Sequence, residues 1–390
     1  MVNINNVKRR RAATCAGALS ALILAACGGT GGGADANDGL TERDNVPVAL
    51  EGEPQPYDAG LIESICTGDE KIKVGLAWGF VGNSWRQQSL AELKDEASKC
   101  PNIDGEITVT SSDFDLQKSI SDINAQVAQG VDVLIVMPDA GEGLIPAMRK
   151  AAEAGVVVMA YANGESFPAE PGKDYYDSTT EIQAGWGEKW ADWMGRRLDG
   201  KGNVVFLGGP AGAPTSVGEF EGFLEGLEEY PGIKVLTEDY TPTDWDPAKA
   251  QQAMAGLLTK YPDIDGVVTD YGATAVAAIR AFEAADRDLV PFASLSLNEL
   301  ACTYEDKKAS EPEFDLMTQG SRPWLIRAAL RRAVAVKLGT DNDEPSRLDM
   351  PIVEDTTGDL APTCNSDLPM DLDVADAQLS TDQLLEQFAE

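Results

Sequence analysis

Asparagine, tryptophan, arginine and aspartate recur where apolar strands give way to loops, and these side chains are the chemistry the chain offers. Asn83, Trp85 and Arg86 follow a strand-like run at 71–78, and Asp139 follows another at 131–137. Asn163 and Glu165 come after a third at 156–160; further along stand Ser216, Asp244-Trp245, Asp270-Tyr271 and Asn298, and Gln319 closes a run at 314–319. Amides and carboxylates accept or donate hydrogen bonds in fixed directions, a guanidinium donates in a fork, and an indole presents a flat apolar face. A small uncharged polyhydroxyl ligand needs that set, hydroxyl by hydroxyl, with flat faces for its C–H surfaces. Each residue also has a plain structural reading as a loop residue, helix cap or turn former; Asp139, after Pro138, could simply start the next helix.

Composition removes other chemistries. The chain has no histidine, so no Ser-His-Asp or Cys-His pair and no histidine-containing zinc site can form. Carboxylates, lysines and tyrosines remain as acids and bases. The glycine loops at 79–82 and 208–212 follow strands, but neither fits G-x-G-x-x-G, and no G-x-x-x-x-G-K-[ST] occurs. Asp244-Trp245-Asp246 lacks the glycine and glutamate of a calcium loop. A net charge of -34 opposes nucleic acid and anionic lipid. The expectation is a protein that is not an enzyme, with no cofactor and no metal.

The elements that must hold these residues are those of an α/β protein. Ile72, Val74, Leu76 and Trp78 alternate as a strand does; Gly79 and Gly82 break it; Asn83-Ser84 can cap a helix carrying Leu90, Leu93 and Ala97 on one face. The nearly continuous apolar runs 131–137 and 156–160 suit parallel strands covered on both faces. A helix at 183–198 carries Trp186, Trp190 and Trp193 at core spacing. The alternation then restarts: strands at 203–207, 233–240, 266–270, 290–297 and 314–319, with helices at 217–229, 248–260 and 273–285. Pro323 opens a helix to 338, a short strand lies near 350–353, and a helix at 381–388 caps a domain or is loose. Strands alternating with helices throughout predict parallel sheets in two similar halves.

Residues 1–26 read as an export signal. Lys8-Arg9-Arg10-Arg11 is its basic start, 12–23 is an apolar run too short to span a bilayer, and Leu24-Ala25-Ala26-Cys27 resembles a bacterial lipobox, in which Cys27 becomes the lipidated first residue. The alternative is a plain cleaved signal with an incidental cysteine. The Gly-, Asp- and Pro-rich stretch up to about residue 60, within a segment set at 27–68, reads as a tether. Cys66, Cys100, Cys302 and Cys364 remain, an even number in an oxidising compartment. Three pairings are open. Cys66–Cys100 with Cys302–Cys364 is favoured, because Cys66 precedes the first strand and Cys100 follows the first helix, at one end of a βα unit.

Three motifs carry a resemblance. GLAWGFVGNSWRQQSLAELKDEA, QVAQGVDVLIVMPDAGEGLIPAMRKAAEAGVVVMAY, and DWDPAKAQQAMAGLL followed by YPDIDGVVTDYGATAVAAIRAF resemble the periplasmic sugar-binding proteins of ABC importers, of the ribose- and galactose-binding type, over about 71–338. The resemblance implies the type I periplasmic binding protein fold: two Rossmann-like α/β lobes with parallel sheets joined by a multi-strand hinge. It implies one lobe from 69–199 and 320–342, a second from 200–319 and 343–370, and an acidic tail at 371–390. It also implies that Asn83 bonds ligand hydroxyls, Trp85 stacks on a sugar ring, Trp245 is the second lobe's aromatic, Asp270 lies where the family has a hydroxyl-binding amide or acid, Gln319 lies by the hinge, and Arg86 matches some members that bind hexofuranoses. The chain departs from the pattern at AGAPTSVGEFEGF, where Val217 and Glu219 stand in place of an expected arginine, and at STTEIQAG.

The function expected is a lipid-anchored, monomeric solute-binding protein on the outer face of the cell membrane. It would take a sugar-like ligand between its lobes and deliver it to an ABC permease, with no nucleic-acid partner. The alternatives are a sensor domain signalling to a membrane kinase and a carboxylate-based glycoside-processing enzyme. A repressor's effector domain shares the fold, but this chain has an export signal and no basic DNA-binding head.

Overall fold

A computed structural model describes residues 51–52, 58–80, 82–164 and 167–388. The expected export signal, Cys27, most of the expected tether and Glu165 lie outside the described residues. The apolar strands fall where their patterning places them, in two sheets. The first sheet, in spatial order, is Glu51–Gly52, Arg347–Leu348, Asp177–Glu181, Val157–Tyr161, Val133–Val136, Val74–Trp78 and Thr108–Ser111, all parallel. The second is Ile352–Asp355, Leu316–Gln319, Phe292–Leu295, Gly266–Thr269, Lys201–Gly208 and Gly232–Val235, with Thr241–Pro242 beside Lys201–Gly208. Among the described strands only Ile352–Asp355 runs antiparallel to its neighbour. The central strands are buried on both faces, which is why VLIV and VVMAY are apolar throughout. Among the described residues no helix is long and apolar enough to cross a membrane.

The chain passes between the sheets after Glu181, again after Gln319, and a third time between Arg347–Leu348 and Ile352–Asp355. These passages correct the lobe boundaries. The helix Gln183–Arg197 packs on Pro214–Gly226 of the second lobe, not on the first. The two backbones touch: a Cβ at Gly187 would lie 2.1 Å from the Glu219 carbonyl, and one at Gly222 2.2 Å from that of Ala184. Trp186, Trp190 and Trp193 fill the core beneath this crossing. The first lobe therefore ends near Ile182, not at 199. The segment 343–370 is also shared, since Arg347–Leu348 pairs in the first sheet and Ile352–Asp355 in the second.

Both ends of the described chain are tied down. The helix Ala59–Ile65, capped by Asp58, buries Ile62 and Ile65 and packs on Leu325–Leu338, so the tether gives way to the lobe before residue 68. The acidic tail is a strap. Leu368, Leu372, Leu379 and Leu384 cluster with Ala91 of the helix Ser84–Ser98. Gln88 of that helix donates to the Asp373 carbonyl and accepts from its N–H, and Glu92 accepts from the N–H groups of Gln378 and Leu379. Cys66–Cys100 and Cys302–Cys364 are bonded, the pairs favoured by position in the sequence.

Among the described elements not foreseen are the strands Asp177–Glu181 and Arg347–Leu348 and the helix Asn298–Lys307. The strand Asp177–Glu181 reads DSTTE, too polar to be recognised as buried; Arg332 pairs with Asp177 and Arg322 with Glu181. The helix Asn298–Lys307 follows a strand with no side-chain cap to announce it. The run at 233–240 is the strand Gly232–Val235 and then irregular chain up to Thr241–Pro242.

Candidate functional site

The loop after Val74–Trp78 is fixed by Asn83, which caps the helix Ser84–Ser98: its Oδ1 accepts the Arg86 N–H at 2.9 Å. Trp85 and Arg86 are thereby set on the helix's first turn. Arg86 makes two parallel bonds to Asp139, 3.0 and 2.7 Å, and Asp139 Oδ2 also accepts the Gly79 N–H at 2.6 Å. The guanidinium lies 5.3 Å from the Trp78 ring and 5.7 Å from that of Trp85. Trp85 Nε1 donates to the Ser321 carbonyl at 2.6 Å, and its ring stacks on Tyr161.

On the second lobe Asp244 and Trp245 both adopt left-handed backbone, φ 55° and 53°. This turn, closed by Asp246 capping the helix Pro247–Lys260, lays the indole across Gly209. A Cβ on Gly209 would lie 2.2 Å from the Trp245 ring, so only glycine fits beneath it. Asp270, at the end of Gly266–Thr269, accepts through Oδ2 from Ser216 Oγ at 2.5 Å, the Gly209 N–H at 2.9 Å and Trp245 Nε1 at 3.2 Å. Its Oδ1 has no hydrogen-bond partner within the protein. Burial outweighs the three donors and pushes the Asp270 carboxyl up to about 6. The neighbouring Tyr271 hydroxyl bonds Ser84 of the first lobe.

Between the lobes stands Arg322, in left-handed backbone at φ 51°. Its N–H donates to Asp376 Oδ2 at 2.8 Å, and its guanidinium donates to Glu181 Oε1 at 2.6 Å and to the Ser321 carbonyl at 3.0 Å. The same guanidinium lies 4.4 Å from the Trp186 ring and 5.4 Å from that of Trp85. Ser321, also on this connection, donates its hydroxyl and N–H to Asp373 of the strap, which Ser296 of the second lobe bonds as well.

These residues surround a cavity of about 60 Å³ that opens to solvent. The first lobe contributes Asn83, Trp85, Arg86 and Met137. The second contributes Thr215, Trp245, Asp270, Tyr271 and Leu295, and the connection adds Ser321 and Arg322. Six of the residues singled out in the sequence, Asn83, Trp85, Arg86, Trp245, Asp270 and Tyr271, thus meet at one cavity. Asp139 stands behind Arg86 and holds it. Gln319 is buried at the connection, donating to the Trp186 carbonyl at 3.1 Å, with Oε1 unpartnered. Asn163 is buried in the loop after Val157–Tyr161, where its amide donates to the Gly164 carbonyl. Asn298 is elsewhere: its amide donates to the carbonyls of Asn365, Leu368 and Pro369, and its Oδ1 accepts the Asn365 N–H, so the side chain clamps the strap.

Arg322 was not foreseen. Its signal was a lone arginine between the end of a strand and Pro323 in a strongly acidic chain, at a crossing. Glu219, where an arginine was expected, is wholly buried, and neither carboxyl oxygen has a partner within the protein. Burial first, and the Asp270 charge second, raise its carboxyl well above the usual glutamate range.

Comparison with known proteins agrees with this architecture. The chain is 31% identical over 205 residues to the xylitol-binding protein of Mycolicibacterium smegmatis, covering 52% of this chain and 56% of that protein. It is 26% identical over 190 residues to the galactofuranose-binding protein of Escherichia coli, covering 48% and 57%. The chain thus spans little more than half the length of these two relatives. The solved structure of the Caulobacter myo-inositol binding protein bound to myo-inositol shares the fold at 23% identity, with a TM-score of 0.64 over 72% of this chain and 93% of that one. The relatives are binding proteins rather than enzymes, and the periplasmic binding protein domain model matches residues 74–307. With two parallel α/β lobes and this match across more than half its length, the chain belongs to the periplasmic binding protein domain family.

Proposed function

We propose that this protein is the solute-binding component of an ABC importer. It takes a sugar or similar polyhydroxyl compound into the cleft and presents the closed, loaded form to a membrane permease. The observation that carries the reading is the cavity with an indole from each lobe, Trp85 and Trp245, and oriented polar groups at Asn83, Asp270 and Arg322 between them. The indoles cover the C–H faces of such a solute, and the polar groups take its hydroxyls. Relatives named for xylitol and galactofuranose support a polyol-sized guest. Lobes joined by three passages can close as a hinge around a ligand that touches both. A lipobox at Cys27 supports lipid anchoring on the outer face of the membrane, with the acidic chain held away from anionic lipid.

Purified protein titrated with a panel of pentoses, hexoses, furanoses and polyols tests the reading. At least one is expected to shift the tryptophan fluorescence and to give a saturable heat without turnover. A flat response across the panel, or conversion of the compound bound, removes it.

A further inference from the structure

The second-lobe side of the cleft has more buried acid than base. Arg86 is neutralised by its paired bonds to Asp139. The remaining guanidinium, Arg322, is hydrogen-bonded to Glu181 and also faces Glu219. Three carboxyls, Glu181, Glu219 and Asp376, thus gather at that one cation, and Asp270 is a further buried carboxyl. The protein donors to Asp270 are all neutral: a hydroxyl, a backbone N–H and an indole N–H. Asp270 lines the cavity, is 4% exposed, and keeps Oδ1 without a protein partner. A ligand hydroxyl would satisfy that oxygen but bring no charge. An ammonium would satisfy it and offset the excess acid, and Trp245 beside it offers a π face of the kind that attracts cations. The field of a chain with net charge -34 also draws cationic solutes toward it.

We propose that the preferred ligand is an amino-polyol or amino sugar, a polyhydroxyl compound carrying a primary ammonium group that bonds Asp270 Oδ1. This rests on the reading of the cleft as a polyol site and narrows it. The titratable and charged groups around Asp270 are Glu219, Tyr240, Glu181 and Arg322. Burial and the Asp270 charge raise the Glu219 carboxyl well above the usual glutamate range.

The test uses two isosteric trios: glucosamine, glucose and glucuronate, and 1-amino-1-deoxysorbitol, sorbitol and gluconate. Titration calorimetry of the whole protein at pH 7.5 reads the affinities. The expected result is that an amine binds at least tenfold more tightly than its neutral and acidic counterparts, and that Asp270→Asn shrinks the amine-to-neutral ratio. The ranking within each trio on the unmodified protein stands independently of how the variant folds. A neutral compound that equals or outbinds its amine, or an acid that binds most tightly, overturns the inference and leaves the polyol reading intact. No binding by either trio or by the wider polyol panel overturns both.

Discussion

At Asp270 three donors work against the loss of water, and burial prevails, leaving the carboxyl at about 6. An aspartate in the unfolded chain titrates near 3.9. Between those values the native protein holds a proton that the unfolded chain has released, so this group's contribution to stability rises as pH falls from above 6 toward 4. Glu219 is displaced in the same direction. The ligand-free protein should therefore melt at a higher temperature at pH 5.5 than at 7.5, and Asp270→Asn should reduce the difference; scanning fluorimetry across that range checks both. The indoles give a second expectation. Trp85→Ala or Trp245→Ala should each cost roughly 1–3 kcal/mol of ligand affinity by calorimetry, the scale of one lost aromatic contact. Asn83, Trp85, Arg86, Trp245 and Asp270 were legible because each follows a strand or a strand-end turn, where side chains of a parallel sheet converge. Asn298 has the same sequence context, yet its amide serves the strap, and no local pattern distinguishes the two fates. Arg322 was hidden for the opposite reason: its place depends on a chain crossing and on Trp186, from a helix whose lobe the spacing does not reveal.

At the scale of elements, two seams hold the lobes in shape. Gly187 and Gly222 let Gln183–Arg197 and Pro214–Gly226 touch backbone to backbone. Gly222→Ala forces them apart and should destabilise by roughly 1–3 kcal/mol or more in urea denaturation, as overpacking does. The other seam is ionic. Arg327 on Leu325–Leu338 is buried among Glu92, Asp95 and Glu96 of Ser84–Ser98, and Arg331 adds Glu96 and Glu344. Arg327→Ala leaves buried carboxylates without their partner and should cost about 3–5 kcal/mol, whereas a well-packed apolar replacement of the whole cluster could be neutral. The apolar strands VLIV and VVMAY were readable from pattern alone. DSTTE was not, because its burial depends on Arg332 and Arg322, supplied by chain more than a hundred residues away.

Over the whole molecule, ligand binding should narrow the distribution of lobe separations, which small-angle scattering would register as a smaller radius of gyration. The strap touches the first lobe through Gln88 and Glu92 and the second through Ser296 and the Asn298 N–H, which donates to the Leu372 carbonyl, so removing residues 371–390 should widen the ligand-free distribution and lower the melting temperature. The sequence left open whether the helix near the acidic end caps a domain or is loose; the leucines at 368, 372, 379 and 384 were the overlooked sign of a packed end. Cys302–Cys364 pins the root of that strap to the helix Asn298–Lys307, and Cys66–Cys100 closes the first βα unit. Each covalent staple is worth roughly 3–4 kcal/mol through the loop it closes. Material made in a reducing cytosol would therefore lack both staples, and solute affinities measured on it would describe a slacker clasp than the one assembled in an oxidising environment.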